Sequence, residues 1–377
     1  MTVTAPSADE LRRMMTDQLT ATGALRSQRW IDAFTSVPRH VFVPRFVVRA
    51  QDSLHEYDQA DPAWLTAAYR DTSLLTQFDA AGTATSSSTR PSLMAKMLEA
   101  LDVEDGNRVL EIGVGTGYNA ALLAHRLGSD RVVSVDVDPA LVSAAQNRLG
   151  KTGFMPKLIT GDGMAGCAEH APYERLLATC GVGRVPASWR EQVRPGGIIV
   201  ANVGYGIARL TVDRDRRASG PFLPEMAAFM RARSGTDSVS ATAQQLTRML
   251  VTQTGSAREI DLPTSLGAEM AQFLPNLVHP TVETITLKND AGRETHCLWE
   301  PRTSSWARIT LLDVRTAHLD HGGPRDLWAE REPLLTHWVN AGRPGIDRYG
   351  LTVWSDGTHT LWLDDPANTA GMLPALW

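Results

Sequence analysis

Cysteine is scarce in this sequence: Cys167, Cys180 and Cys297 are its only three, in 377 residues. None belongs to a CxxC pair, so no disulfide framework is expected, and the thiols fit a reducing cytoplasm. Long apolar runs are missing as well, and none approaches the about 20 residues that a membrane-spanning helix needs. The start, MTVTAPSADELRRMM, lacks a basic stretch followed by an apolar core, so no export signal is expected. There is no basic surplus either. The formal net charge is −5, which argues against nucleic acid as a partner. These absences leave a soluble, cytoplasmic protein with no membrane association, working on small molecules, peptides or proteins.

What is present suits two domains. Hydrophobic residues make up 43% and charged residues 21%, the balance of a globular chain that buries its own core. Residues 8–35 alternate apolar and charged positions at helical spacing, and VPRHVFVPRF reads as extended. Residues 50–80 are irregular. A Ser/Thr cluster, GTATSSSTRP, precedes the amphipathic helix PSLMAKMLEAL, which Pro91 opens. From Asn107 strand and helix alternate: NRVLEIGVG, YNAALLAHRLG, RVVSVDVD, PALVSAAQNRLG, PKLITGDG, YERLLATCG, PASWREQVRPGG and IIVANVG. That alternation predicts an α/β fold, a doubly wound parallel sheet covered by helices. The polar stretch TVDRDRRASGPFLPEM then carries the chain out of the core. Residues 1–235 are thus expected to form one domain, with a substrate-side segment at 1–105 and a core at 106–210. Residues 236–377 are expected to form a C-terminal α+β domain with several strands and the helix PRDLWAEREPLLTHWVNAG.

The sharpest local signal is VLEIGVGTGYNAALL. An apolar strand, Val109 to Ile112, runs into Gly113-Val114-Gly115-Thr116-Gly117 and then a helix. Glycine suits such a turn because a side chain would block a ligand's approach to the backbone. Strand-to-helix turns also contain glycine without binding anything, so the loop alone leaves both readings open. Asp136 ends the next strand about twenty residues on, where an acid grips ribose hydroxyls in nucleotide-binding sheets. Gly161-Asp162-Gly163 ends the strand after that. Either acid alone could simply cap a helix. Together, Glu111-x-Gly113-x-Gly115-x-Gly117, Asp136 and Asp162 resemble the class I, Rossmann-like methyltransferases. The resemblance implies S-adenosylmethionine as cofactor. Glu111, Gly113, Gly115 and Gly117 would then lie at its methionine part, Asp136 at the ribose, and Gly161, Asp162 and Gly163 at the adenine, with Tyr118 and Val137 also against the cofactor.

A second set of motifs narrows this. Arg39-His40-Val41-Phe42-Val43-Pro44, Tyr173-Glu174-Arg175-Leu176 and the run from Val185-Pro186 through Trp189 and Gln192 to Pro195-Gly196-Gly197 resemble the protein-L-isoaspartate O-methyltransferases. The resemblance runs from about residue 8 to 210. It implies methylation of a carboxylate on an aspartyl or isoaspartyl residue of a peptide or protein. Such a carboxylate is already an anion at neutral pH, so placement rather than base catalysis is needed, and Arg39 and His40 read as structural. The family's carboxylate-binding segment reads G-x-T-I-S-x-P. Anchored on Pro91, this chain has Thr89 for the serine and Ser88 for the isoleucine; alternatively, Thr83 to Ser86 carry the motif with a longer spacer. Ser86, Ser87, Ser88, Thr89 and Arg90 are therefore the candidates for the acceptor carboxylate, the alternative being a solvated helix cap.

The extended form resembles methyltransferases encoded beside ribosomally made, modified peptides. That implies a dedicated peptide whose aspartate becomes a succinimide or isoaspartate; the alternative is repair of L-isoaspartyl residues in damaged proteins. A non-catalytic scaffold is the third reading, disfavoured by the complete glycine loop. Trp299, Trp306, Trp328, Trp338, Trp354 and Trp362 are either a peptide clamp or the core of the last domain. AHLDHGG, with His318, Asp320 and His321, has the residue types of metal ligands, but one such run in a loop leaves no metal expected.

Overall fold

The computed structural model describes residues 5–50, 53–233, 247, 250, 252–288 and 292–374. The chain opens with helices α1 (Ala8–Ala21), α2 (Gln28–Ser36) and α3 (Arg39–Phe42). Ser7 and Glu10 form a reciprocal cap at the start of α1. The expected extended VPRHVFVPRF instead makes the turn of α3 at Arg39–Phe42 and is strand only from Arg45. Arg39 and Phe42 are both fully buried. A spacing of three brings two side chains to one face of a helix but to opposite faces of a strand.

Strands β1 (Arg45–Ala50), β2 (Ser53–Asp58), β3 (Leu74–Phe78) and β4 (Ala84–Ser88) form an antiparallel sheet in the order β2-β1-β3-β4, with α4 (Trp64–Ala68) between β2 and β3. The stretch read as irregular thus holds β2, α4 and β3, apart from positions 51 and 52, which lie outside the described residues, and the Ser/Thr cluster holds β4. Helix α5 (Pro91–Leu101) follows as expected, with proline in its first turn.

The α/β alternation is then met element by element: β5 (Val109–Ile112), α6 (Tyr118–Leu127), β6 (Val132–Asp136), α7 (Pro139–Lys151), β7 (Lys157–Thr160), β8 (Tyr173–Val182), α8 (Ala187–Gln192) and β9 (Val193–Val203). β5 to β9 are mutually parallel in the order β7-β6-β5-β8-β9. β5 and β6 are buried at every position, as strands covered on both faces are. The chain reverses its winding between β5 and β8, and the carboxyl ends of those strands are where such sheets bind ligands.

The sheet does not stop at β9. TVDRDRRASGPFLPEM, expected to leave the core, is a hairpin of β10 (Gly206–Val212) and β11 (Ala218–Met226) that extends the sheet antiparallel. Its outward face reads polar while Leu210, Val212, Ala218 and Phe222 turn inward. Beyond it come β17 (Tyr349–Val353), β18 (His359–Leu363) and β19 (Thr369–Leu373), completing ten strands among the described residues. Gly350 is required there: a methyl on it would meet the Trp362 ring at 1.9 Å.

Strands from both sides of 235/236 therefore share the ten-stranded sheet. Only β12 (Ser256–Asp261), β13 (Glu283–Lys288), β14 (Glu294–Glu300), β15 (Ser305–Leu311) and β16 (Thr316–Gly322) form a second sheet, in the order β12-β16-β15-β14-β13. Helices α9 (Glu269–Val278) and α10 (Leu327–Asn340) cover it. α9 has two faces. Phe273, Leu274 and Leu277 join the core of the ten-stranded sheet, and Ala271 joins that of the second. Five of the six candidate clamp tryptophans are core, each under 8% exposed; Trp354, at 41%, lies against Arg217. AHLDHGG falls on β16, where His318 and Asp320 share one face and His321 takes the other.

A fragment ending at residue 235 is expected to aggregate, because it exposes the β11 edge and strips Phe222 of its partner Phe273, 5.1 Å away. Size-exclusion chromatography and calorimetry with S-adenosylmethionine check this. A monodisperse fragment that binds like the full chain would sink it.

Candidate active site

The glycine turn sits between β5 and α6, with Gly113, Gly115 and Gly117 at φ 96°, 50° and 88°. These left-handed values favour glycine, and at Gly113 a methyl would also meet Thr179 Oγ1 at 2.7 Å. Asp136, at the end of β6, ties the loop down. Its Oδ2 accepts the Gly115 N–H at 2.9 Å and its Oδ1 the Asp138 N–H at 3.1 Å. Burial pushes its pKa up, against the pull of those two bonds. Asp138 caps α7, and its free oxygen accepts the Gln77 amide at 2.8 Å. Gln77 in turn accepts the Thr85 hydroxyl at 2.7 Å, so loop, helix and hydroxyl strand form one chain of contacts.

That strand, β4, lies directly against the glycine loop: a methyl on Gly115 would come 3.6 Å from Ser86 Oγ. Between them is a cavity of about 280 Å³. Of the expected residues, Ser86, Ser87, Ser88, Thr89, Gly113, Gly115, Tyr118, Asp136, Val137 and Gly163 line it. Arg90, Glu111, Gly117, Gly161 and Asp162 do not. Arg90 is exposed, at the cap position of α5. Asp162 accepts the Met164 N–H at 2.8 Å and so caps the turn after β7. Glu111 is completely buried beneath the loop, where Asn119 and Ser134 bond its two oxygens. Its motif position gives the residue but not the direction of its side chain.

Arg39 and His40 are outside the cavity, as their structural reading requires. Arg39 is fully buried and donates to the carbonyls of Ala68, Arg70, Thr72 and Thr89, at 2.7 to 3.2 Å. It thereby holds the end of the hydroxyl segment. His40 Nδ1 meets the Tyr69 hydroxyl at 2.7 Å.

Sequence reasoning missed part of the wall. Thr179 and Cys180 lie near the carboxyl end of β8 and were findable from the rule that strand ends face the ligand. Ala228 to Arg233 had no such signal. They arrive after the unexpected β10–β11 hairpin and are pinned to the sheet by Gly181, which bonds Met230 O at 2.8 Å and Ala232 N at 2.9 Å. Asn202 secures the same segment through Ala227 O and Phe229 N.

The residues fit the cofactor that the motif implies. Tyr118 Oη and Asn119 Oδ1, both on residues lining the cavity, are buried without a hydrogen-bond partner, and Asp136 keeps unused lone pairs for hydroxyls. Glycines 113 and 115 leave the backbone open to a ligand. Among the described residues no group of three His, Cys, Asp or Glu side chains is arranged to hold a metal ion, and no helix is long and apolar enough to cross a membrane.

Burial raises the Glu111 carboxyl from its ordinary 4.5 to about 7. The fold thus favours its neutral form, and stability conferred below pH 4.5 is lost as pH rises through 7. Relative to Glu111→Gln, which cannot ionise, the wild type is expected to lose about 3 kcal/mol over that window. Denaturant unfolding of both proteins between pH 4.5 and 8 measures the difference; a flat or opposite trend would contradict it.

Known proteins are similar to this chain in sequence and in fold. The family model for protein-L-isoaspartate(D-aspartate) O-methyltransferase matches residues 10–226. A protein-L-isoaspartate O-methyltransferase of Methanopyrus kandleri is 38% identical over 196 residues, 51% of this chain and 76% of its own. One from Anaeromyxobacter is 34% identical over 214 residues, 56% of this chain and 77% of its own. A solved structure described as a protein-L-isoaspartate O-methyltransferase shares the fold over 94% of this chain and 100% of its own, with TM-score 0.55 and 23% identity. The cofactor is S-adenosylmethionine, and this chain belongs to the protein-L-isoaspartate(D-aspartate) O-methyltransferase family of carboxyl methyltransferases.

Proposed function

We propose that this protein methylates the free carboxylate of L-isoaspartyl residues in damaged polypeptides, in the cytoplasm. The observation that carries the reading is the meeting of the β4 hydroxyls with the glycine loop in one cavity. When bound there, S-adenosylmethionine supplies an electrophilic methyl group. The chain's own residues do the positioning. Ser86 and Ser88 are buried and Thr89 is held through its carbonyl by Arg39, so their hydroxyls are fixed donors for an acceptor carboxylate. Fixed placement of two reactants lowers a barrier by roughly 7–11 kcal/mol, which makes a dedicated base unnecessary. The ester so formed loses methanol when the following backbone nitrogen attacks its carbonyl, closing a succinimide that water reopens. The three cysteines are unpaired, which suits a reducing compartment.

A second reading, an aspartate in one dedicated peptide, is favoured by the altered hydroxyl segment and by Arg231 and Arg233. These line the cavity from beyond the matched residues 10–226. The C-terminal region gives no reason to prefer it, because a solved isoaspartate methyltransferase shares the fold over nearly the whole chain.

Mass spectrometry of the protein with S-adenosylmethionine and a linear isoaspartyl peptide tests the choice. A gain of one methyl followed by loss of methanol is expected. Turnover confined to an aspartate-containing macrocyclic peptide would transfer the assignment to the second reading. Binding of the cofactor without turnover of either would end both. Within the first reading, Ser86→Ala is expected to lower kcat/KM by roughly 10- to 100-fold, the worth of one hydrogen bond to a charged group. Cofactor affinity should stay within about twofold; a parallel loss of cofactor binding would move Ser86 out of the acceptor role.

A further inference from the structure

A second cavity, unused by methyl transfer, lies under the second sheet. It measures about 80 Å³ and is bounded by α9, α10, β13 and β14, with Arg331, His296, Gln272 and Thr284 on its wall beside Leu266 and Ile309. A side lobe of about 20 Å³ shares Arg331, Gln272 and Thr284.

Two buried donors face this space with bonds unmade. Arg331 is 6% exposed; its Nη2 donates to the Ala271 carbonyl, while Nε is buried without a partner. No carboxylate among the described residues pairs with it. The neighbouring Glu330 lines the side lobe but turns its carboxylate to Arg325, at 2.5 and 3.0 Å. His296 is 8% exposed, with Nδ1 3.2 Å from Thr286 Oγ1 and Nε2 buried without a hydrogen bond. The Glu294 carboxylate comes to 3.7 Å from that nitrogen, yet Lys288 holds it at 3.0 Å. With the Thr286 hydroxyl donating to Nδ1, Nε2 carries the proton and is a donor. Desolvation pushes Arg331 down to about 10 and lowers His296 as well. A buried guanidinium is strongly unfavourable unless an anion or several carbonyls offset it, and among the described residues Arg331 has the Ala271 carbonyl alone. Buried polar groups left unsatisfied in a native fold call for a partner.

We propose that this cavity binds a small carboxylate between the Arg331 guanidinium and His296 Nε2. The polar wall offers a planar cationic fork and a single N–H, which suits a carboxylate group. Its volume exceeds a single water and excludes a nucleotide. The carboxylate belongs either to a free small acid or to an acidic side chain of a peptide. Because Arg331 also grips Ala271 of α9, a bound carboxylate would stiffen the helix that both sheets share.

Thermal unfolding of the full chain in rising sodium acetate, at ionic strength fixed with sodium chloride, tests this. A saturable rise in Tm is expected for the wild type, following the mass-action law for a ligand of the native state. Arg331→Met should remove it or move its midpoint at least tenfold, with S-adenosylmethionine binding retained. His296→Gln should weaken it severalfold. An N-acetylated, amidated peptide bearing one aspartate is the second probe. A saturable shift with the peptide assigns the site to an acidic side chain, and a shift with acetate alone assigns it to a free acid. Absence of a saturable shift with both, or an equal shift in Arg331→Met, overturns the proposal. Should Arg331→Met fail to fold, an unchanged acetate midpoint in His296→Gln overturns it.

Discussion

The front of the active site depends on one buried guanidinium. Arg39 reaches four carbonyls from two separate segments, Ala68 to Thr72 and Thr89, and has no carboxylate within ion-pair distance among the described residues. Carbonyl dipoles alone stabilise the charge, and in exchange the guanidinium satisfies acceptors that would otherwise be buried unbonded. A lysine could not replace it, because a single ammonium cannot span a fork of this width. Desolvation lowers its pKa to about 10, still far above neutrality, so the tie holds at every physiological pH. Its consequence is local and chemical. The hydroxyl segment and the first turn of α5 are anchored to the N-terminal helices rather than left as a loop.

From that anchored segment the contacts run without a break to the cofactor side. Thr85 bonds Gln77, Gln77 bonds Asp138, and Asp138 shares the β6–α7 turn with Asp136, which fixes the Gly115 N–H. The hydroxyl strand and the glycine loop are therefore parts of one polar network. Such coupling suits a reaction whose main requirement is the alignment of two bound partners.

Much of this was legible in the sequence where the signal is local. Helix α5, the β5–α6 turn and the alternation through β9 follow from periodicity, proline position and glycine spacing, which depend on near neighbours. Non-local outcomes were not. Nothing in RDRRASGPF marks a hairpin that returns to the same sheet, because its exposed turn is polar however the flanking strands pair. The tryptophans read equally as clamp or core, since residue type does not reveal which face of a strand turns inward. Glu111 shows the same limit at the scale of one side chain. Its place in the glycine motif suggested the cofactor, while its carboxyl points into the helix and strand behind the loop.

The role of the C-terminal strands follows from where they attach. β17 pairs with β11 from Ala218 through Pro221, and β11 leads directly into residues 228–233 on the cavity wall. Two further ties bind the same end of the molecule to the catalytic core. His359 Nε2 accepts the Val185 N–H at 2.9 Å, and Arg184 donates to carbonyls of α9 and of Pro374. Burial lowers the His359 pKa to about 4, so the imidazole stays a neutral acceptor near neutrality and this joint does not titrate there. A wall segment that carries its own backbone on only one side, through Gly181 and Asn202, would otherwise be free to move with β11. By capping the β11 edge, β17 to β19 hold one wall of a cavity that residues 73–233 line.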